Sequence, residues 1–181
     1  MNTQKKNWFT ILFGFIICLC IRLFPFRPPN IEPILATQMP FARVYGPFTG
    51  FLFGFLSITF FDLITHTAGV WTLVTASAYG VIGFGSSYFF KKYKTKKYGY
   101  ALFAVIATLF YDAITGLTVG PLFFHQSFML ALTGQIPFTL LHLLGNVSFA
   151  LLFSPFIYEY IIENKNFQLI EKQLLIIPQK I

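Results

Sequence analysis

The chain has 181 residues, 56% of them hydrophobic and 20% aromatic, and only 10% charged, against roughly 25% charged in soluble domains. That composition excludes a soluble globule. Lipid cannot hydrogen-bond the backbone, so spanning segments must be helices or a closed barrel, and the long apolar runs lack a barrel's alternation. The expected fold is an all-α membrane protein, a bundle of about six transmembrane helices at roughly 20 residues per crossing, with no separate soluble domain. The formal charge of +7 resides at segment ends and not in an aromatic-interleaved patch, so it reports membrane orientation and no nucleic-acid partner is expected.

Helix 1 is expected from about Trp8 to Phe24; it follows Lys5 and Lys6 as a signal peptide would, but without a small-residue cleavage site, and reads as a retained helix. Cys18 and Cys20 within it suit neither a disulfide nor a metal. Pro25, Arg27, Pro28, Pro29 and Asn30 then end the helix and begin an outer loop. The segment from Ile31 to about Val44 is short and carries Glu32, Pro33 and Pro40, so by itself it reads as a broken helix or a re-entrant loop. Charge parity decides between them. Helix 3 (about Gly46 to Thr65) and helix 4 (about Val70 to Phe90) lead to Lys91, Lys92, Lys94, Lys96 and Lys97. That cluster shares a compartment with the amino-terminal lysines only if the short segment crosses.

Helix 5 is expected from about Tyr98 to Leu117, a Gly- and Pro-punctuated outer stretch from Thr118 to Gly134, and a last helix from about Gln135 to Ile161. Both termini are then cytoplasmic, and of the 13 Lys and Arg only Arg22 and Arg27 lie outside. Residues 1–161 form the bundle, and 162–181, with Phe167, Ile170, Leu174 and Ile177 among charges, read as an amphipathic tail on the inner surface.

Phe60-Phe61-Asp62-Leu63-Ile64-Thr65 repeats as Phe110-Tyr111-Asp112-Ala113-Ile114-Thr115, each copy closing an apolar helix. Both helices run outward, so the copies read as parallel repeats whose aspartates meet at one outer depth. Asp62 and Asp112 either cap helix ends or, with Glu32, Arg22 and Arg27, surround an outward cavity, because a carboxylate in the membrane must be paired, protonated or wet. Gln135, Thr139, His142 and Asn146 fall on one face of the last helix, and that polar stripe must look into the bundle, as glue or as a site. Gly46, Gly50 and Gly54, and on helix 4 Ala76, Gly80, Gly83 and Ser87, are small-residue faces for close helix packing or for a partner subunit. Trp71 is placed to anchor at the interface or to stack on a heterocycle. No HExxH, GxSxG, Walker, CxxC or GxGxxG motif is present; neither an enzyme, a cofactor nor a metal is expected, and active transport would need energy from other subunits.

Taken together, the architecture over about Trp8 to Ile161, the stretch Phe26 to Pro33, Gly46-Pro47-Phe48-Thr49-Gly50 leading to Phe61-Asp62, and Gly69-Val70-Trp71-Thr72 resemble the S components of energy-coupling-factor (ECF) vitamin transporters. The resemblance implies a substrate-specific subunit of the cell membrane that takes a vitamin-like solute from outside, beneath the loop joining helices 1 and 2. Delivery inward follows toppling against a transmembrane coupling subunit and two ATPase subunits. Under it the expected ligand residues are Arg27, Glu32, Trp71, Asp112, Gln135, Thr139 and His142. The family's coupling face carries Ala-x-x-x-Ala on helix 1; here Gly14 and Cys18 stand at that spacing, with the ridge of Gly46, Gly50 and Gly54 as another docking candidate. A second resemblance, to the cell-wall scaffold MreD, rests on the Gly-rich helix ending in Asp; a scaffold needs no ligand cavity.

Overall fold

The computed structural model describes residues 8–26, 32–93 and 97–163. Arg27, Lys94, Lys96 and the tail from residue 164 lie outside the described residues. Six α-helices succeed one another: α1 (Trp8–Leu23), α2 (Ile34–Tyr45), α3 (Pro47–Ile64), α4 (Val70–Lys92), α5 (Lys97–Phe124) and α6 (Phe128–Phe156), which runs on as a π-helical turn, Ile157–Ile162. α3, α4, α5 and α6 with its π-helical extension are each long and apolar enough to cross a membrane, while α1 is apolar but has 16 residues.

Local chemistry sets the breaks. Gly46 takes φ +95°, a backbone that favours glycine, and its N–H donates to the Ala42 carbonyl as α2 ends. Pro47 then opens α3, where its fixed φ suits the first turn and its missing N–H is not needed. The α3–α4 and α5–α6 hairpins each turn through a left-handed histidine, His66 and His125, which closes the preceding helix as a left-handed cap does. Ser127 caps α6, accepting from the Leu130 N–H at 3.4 Å.

The chain crosses back and forth between two ends. Arg22, Glu32, Asp62 and Trp71 mark one end; Arg43, Lys91, Lys92 and Lys97 mark the other. Trp8 lines a cavity with Thr49 near the start of α3, so the beginning of α1 lies at the lysine end, as charge parity requires.

α2 is the centre of the bundle. Its 12 residues rise only about 18 Å, short of a ~30 Å hydrocarbon core, yet every residue from Ile34 to Ala42 is buried. Neighbouring helices, and not lipid, surround it. Its Gln38, 0% exposed, donates through Nε2 to the Gly50 carbonyl of α3 and the Tyr79 carbonyl of α4, both at 2.8 Å. Ser154 of α6 donates to the Ala36 carbonyl at 2.8 Å. Arg43, at the far end of α2, donates to the Tyr100 hydroxyl at 3.2 Å and lies 4.2 Å over the Tyr158 ring.

The irregular stretch expected from Thr118 to Gly134 is largely helical instead: α5 continues to Phe124 and α6 begins at Phe128. Gly120 and Pro121 read as breakers by soluble-protein rules, but in a membrane helix neighbouring helices and Thr side chains satisfy the backbone; the Thr118 hydroxyl bonds to the Ile114 carbonyl.

The tightest seam joins α3 to α4. A Cβ on Gly83 would overlap the Gly50 carbonyl and the Gln38 amide, whereas one on Gly85 would meet nothing. Gly83→Leu should therefore cost at least about 1–3 kcal/mol through overpacking, read as a lower melting temperature in detergent. Gly85→Leu should leave the melting temperature in place.

Candidate functional site

Building from α1, Arg22 closes the helix and is 5% exposed. Its Nη1 donates to the Ser57 carbonyl of α3 at 2.7 Å and its Nη2 to Glu32 Oε1 at 3.1 Å, while the guanidinium lies 4.0 Å over the Phe61 ring. Glu32, at the entry to α2, also accepts from the Tyr79 hydroxyl at 3.4 Å. Tyr79 packs on Tyr111 of α5 with centroids 4.5 Å apart, and Tyr111 meets His142 of α6 edge-on at 5.7 Å. His142 Nδ1 lies 2.7 Å from Asp112 Oδ1. Polar and aromatic groups thus run unbroken from α1 across α2, α4 and α5 to α6.

The Asp112–His142 pair sits in the α5–α6 seam with both residues at most 3% exposed. A lone carboxyl group there would be strongly disfavoured; the histidine ring supplies it with a hydrogen-bond partner at this distance. One turn away, Asn146 Nδ2 donates to Thr108 Oγ1 at 2.9 Å. On the other side Gln135 Nε2 donates to Thr139 Oγ1 at 3.2 Å, and the Gln135 amide lies over Gly116, where a Cβ would collide with it. Asp112, Gln135 and Thr139 together line a groove of about 370 Å³ whose other walls include Leu109, Leu117, Ile136 and Leu140. Asp112 Oδ2 and Asn146 Oδ1 are buried with no protein partner among the described residues.

Of the seven expected ligand residues, the structure brings Asp112, Gln135, Thr139 and His142 together, and links Glu32 to them through Tyr79 and Tyr111. Arg27 lies outside the described residues. Trp71 stands apart, packed on Gly69 and 5.6 Å from Phe124. Asp62 and Asp112 do not share one setting. Asp62 is two residues from the end of α3 and accepts from Thr72 Oγ1 of α4 at 2.6 Å, whereas Asp112 has twelve further helical residues behind it. Tyr79, Tyr111, Thr108 and Gly116 were not singled out from sequence. Thr108 stands one turn before Asp112, a spacing that could have found it; nothing distinguishes Tyr79 among 9 tyrosines.

The expected docking residues lie mostly on internal seams. Gly50 and Gly54 face α4 and Gln38, Gly46 forms the α2–α3 turn, and Cys18 is 1% exposed. Gly14 packs on Phe41 and also lines an apolar cleft of about 200 Å³ between α1 and α6, floored by α2.

A bundle of helices long and apolar enough to cross a membrane, with polar groups paired across their seams, defines a polytopic membrane protein. Residues 9–153 match the model of the family described as ECF-type riboflavin transporter, S component, and the chain belongs to that family. No curated protein and no solved structure matches the chain. The family is one of transporter components, not of enzymes, and the match lends nothing to the scaffold resemblance.

Removing one member of a buried pair leaves the other uncompensated, at about 3–5 kcal/mol. His142→Leu and Asp112→Leu should each lower thermal stability markedly, and the double variant should recover part of the loss. Additive losses in that cycle would show that the 2.7 Å contact carries no coupling.

Proposed function

We propose that this chain is the substrate-specific subunit of an ECF-type importer that binds riboflavin or a closely related flat heterocycle on the outer face. The family match over residues 9–153 carries this reading. By the positive-inside rule the end bearing Arg43, Lys91, Lys92 and Lys97 faces the cytoplasm, so Arg22, Glu32 and Trp71 face outward and both termini are cytoplasmic. Riboflavin joins a tricyclic ring to a polyol chain, and it needs aromatic faces beside hydrogen-bonding groups. Tyr79 and Tyr111 supply the faces, and Glu32, Asp112, His142, Gln135 and Thr139 supply the polar groups. A transmembrane coupling subunit and ATPase subunits supply the energy. The cleft beside Gly14, walled by Ile17, Phe149 and Phe153, receives a helix of the coupling subunit, with Cys18 buried behind it.

Titration of the purified chain with riboflavin, followed by quenching of flavin fluorescence, tests the ligand. Saturable quenching is expected, and Glu32→Gln and Gln135→Leu should each weaken it by about tenfold, or 1.4 kcal/mol, without loss of helical signal. Absence of quenching by the wild-type chain would remove riboflavin as the ligand. Ile17→Trp, which fills the cleft, should keep riboflavin binding while abolishing co-purification with the coupling subunit.

A further inference from the structure

α4 ends in Lys91 and Lys92, and α5 begins at Lys97. All three are exposed. None of them forms an ion pair among the described residues, although Glu159 on the π-helical turn and Glu163 just past it lie at the same end of the bundle. Their neighbours are amphipathic: Lys91 Nζ lies 5.5 Å from the Tyr88 ring centre and Lys92 Nζ 5.3 Å from that of Tyr93, and Tyr98 is 82% exposed. Tyrosines interleaved with unpaired lysines at the end of an apolar helix place this corner at the headgroup level of a bilayer.

Beneath the corner the outward face of α4 is apolar and open, with Val81, Phe84 and Tyr88 exposed, and the groove described next begins only at Val81, in the other half of the helix. Ser77, Val81, Tyr88 and Lys92 occupy one face of α4 at helical spacing, and the Gly85 position on the way is open. Leu73, Ser77 and Val81 of α4 with Phe110 and Ile114 of α5 line an apolar groove of about 450 Å³. Val81 is 11 residues from Lys92, or about 16 Å along the helix. That is close to the ~15 Å depth of one leaflet's hydrocarbon.

We propose that the Lys91, Lys92 and Lys97 corner holds an anionic phospholipid, its phosphate on the lysines and its tail along α4 to the groove mouth at Val81. Charge complementarity selects the occupant: three cations with no ion pair among the described residues, above an exposed apolar helix face, fit a negative headgroup on an acyl chain, and a zwitterionic headgroup carries no net charge to answer them.

The test uses the full chain in nanodiscs of equal phosphatidylglycerol and phosphatidylcholine, with retained lipids counted by native mass spectrometry. The wild-type chain should retain phosphatidylglycerol in preference. Lys91→Gln/Lys92→Gln/Lys97→Gln should reduce that preference by at least about fivefold, the contribution of a single lysine at an anionic surface. Gly85→Leu, which fills the open position on the α4 face without touching the cations, should reduce retention of both lipids and leave their ratio unchanged. No preference in the wild-type chain, or a full preference in the triple variant, overturns the proposal. Exposed lysines of this kind leave the helix packing untouched, so unchanged melting temperatures keep the comparison valid.

Discussion

The structure depends on one buried amide. A helix of 12 residues cannot cross lipid alone, and α2 is stable at the centre of the bundle only because others enclose it. Gln38 fixes that enclosure: its Nε2 bonds at once to a carbonyl of α3 and a carbonyl of α4. In a low-dielectric interior such bonds hold position, because the alternative is a polar group with no partner. The glycines are a consequence of this geometry. Gly50, Gly54 and Gly83 lack side chains where α3, α4 and the Gln38 amide converge, and a close approach of backbones is what brings both carbonyls within reach of one amide.

The same logic, a buried polar side chain held by a partner on the neighbouring helix, explains the duplicated motif and its divergence. In both copies the threonine three residues after the aspartate bonds back to its own helix, Thr65 to the Phe61 carbonyl and Thr115 to the Tyr111 carbonyl. In both, the aspartate meets a side chain of the next helix, Thr72 in one and His142 in the other. The copies differ in how far the helix extends past the motif. α3 ends almost at once, leaving Asp62 half-buried at a helix terminus, while α5 runs on and carries Asp112 deep into a seam. A threonine hydroxyl partners the first aspartate at its helix end, and a histidine ring partners the second in the seam.

Much of this was legible in the sequence. Hydropathy and lysine placement gave the helices in order and the crossing of the short second segment, because both rest on lipid exclusion acting along the chain. The Gln135 to Asn146 stripe pointed correctly into the bundle, since four polar residues on one helical face cannot all face hydrocarbon. Two kinds of feature were not legible. The helical course of residues 118–124 and 128–134 was masked by Gly120 and Pro121, whose breaking tendency is suppressed when neighbouring helices supply the missing bonds. The link through Tyr79 and Tyr111 was not visible because their proximity is set by how α4 and α5 pack, and no spacing within one helix encodes it.

α1 is the most weakly seated helix of the bundle. Apolar hollows of about 200 Å³ and 290 Å³ flank it, and its firm points are the contact of Gly14 with Phe41, the ring contacts of Phe15 with Phe53 and Phe60, and Arg22. Arg22 is therefore both the polar bolt of α1 and the partner of Glu32. The carboxylate that holds α1 in place is the one that receives the Tyr79 hydroxyl and, in the proposed function, the ligand. A solute that takes a Glu32 oxygen must either tolerate the Arg22 bond or replace it, and replacing it loosens α1 beside the cleft where the coupling subunit is proposed to dock. On the proposed reading, binding at one end and the seating of a whole helix are joined through a single guanidinium, which ties occupancy of the site to the posture of α1.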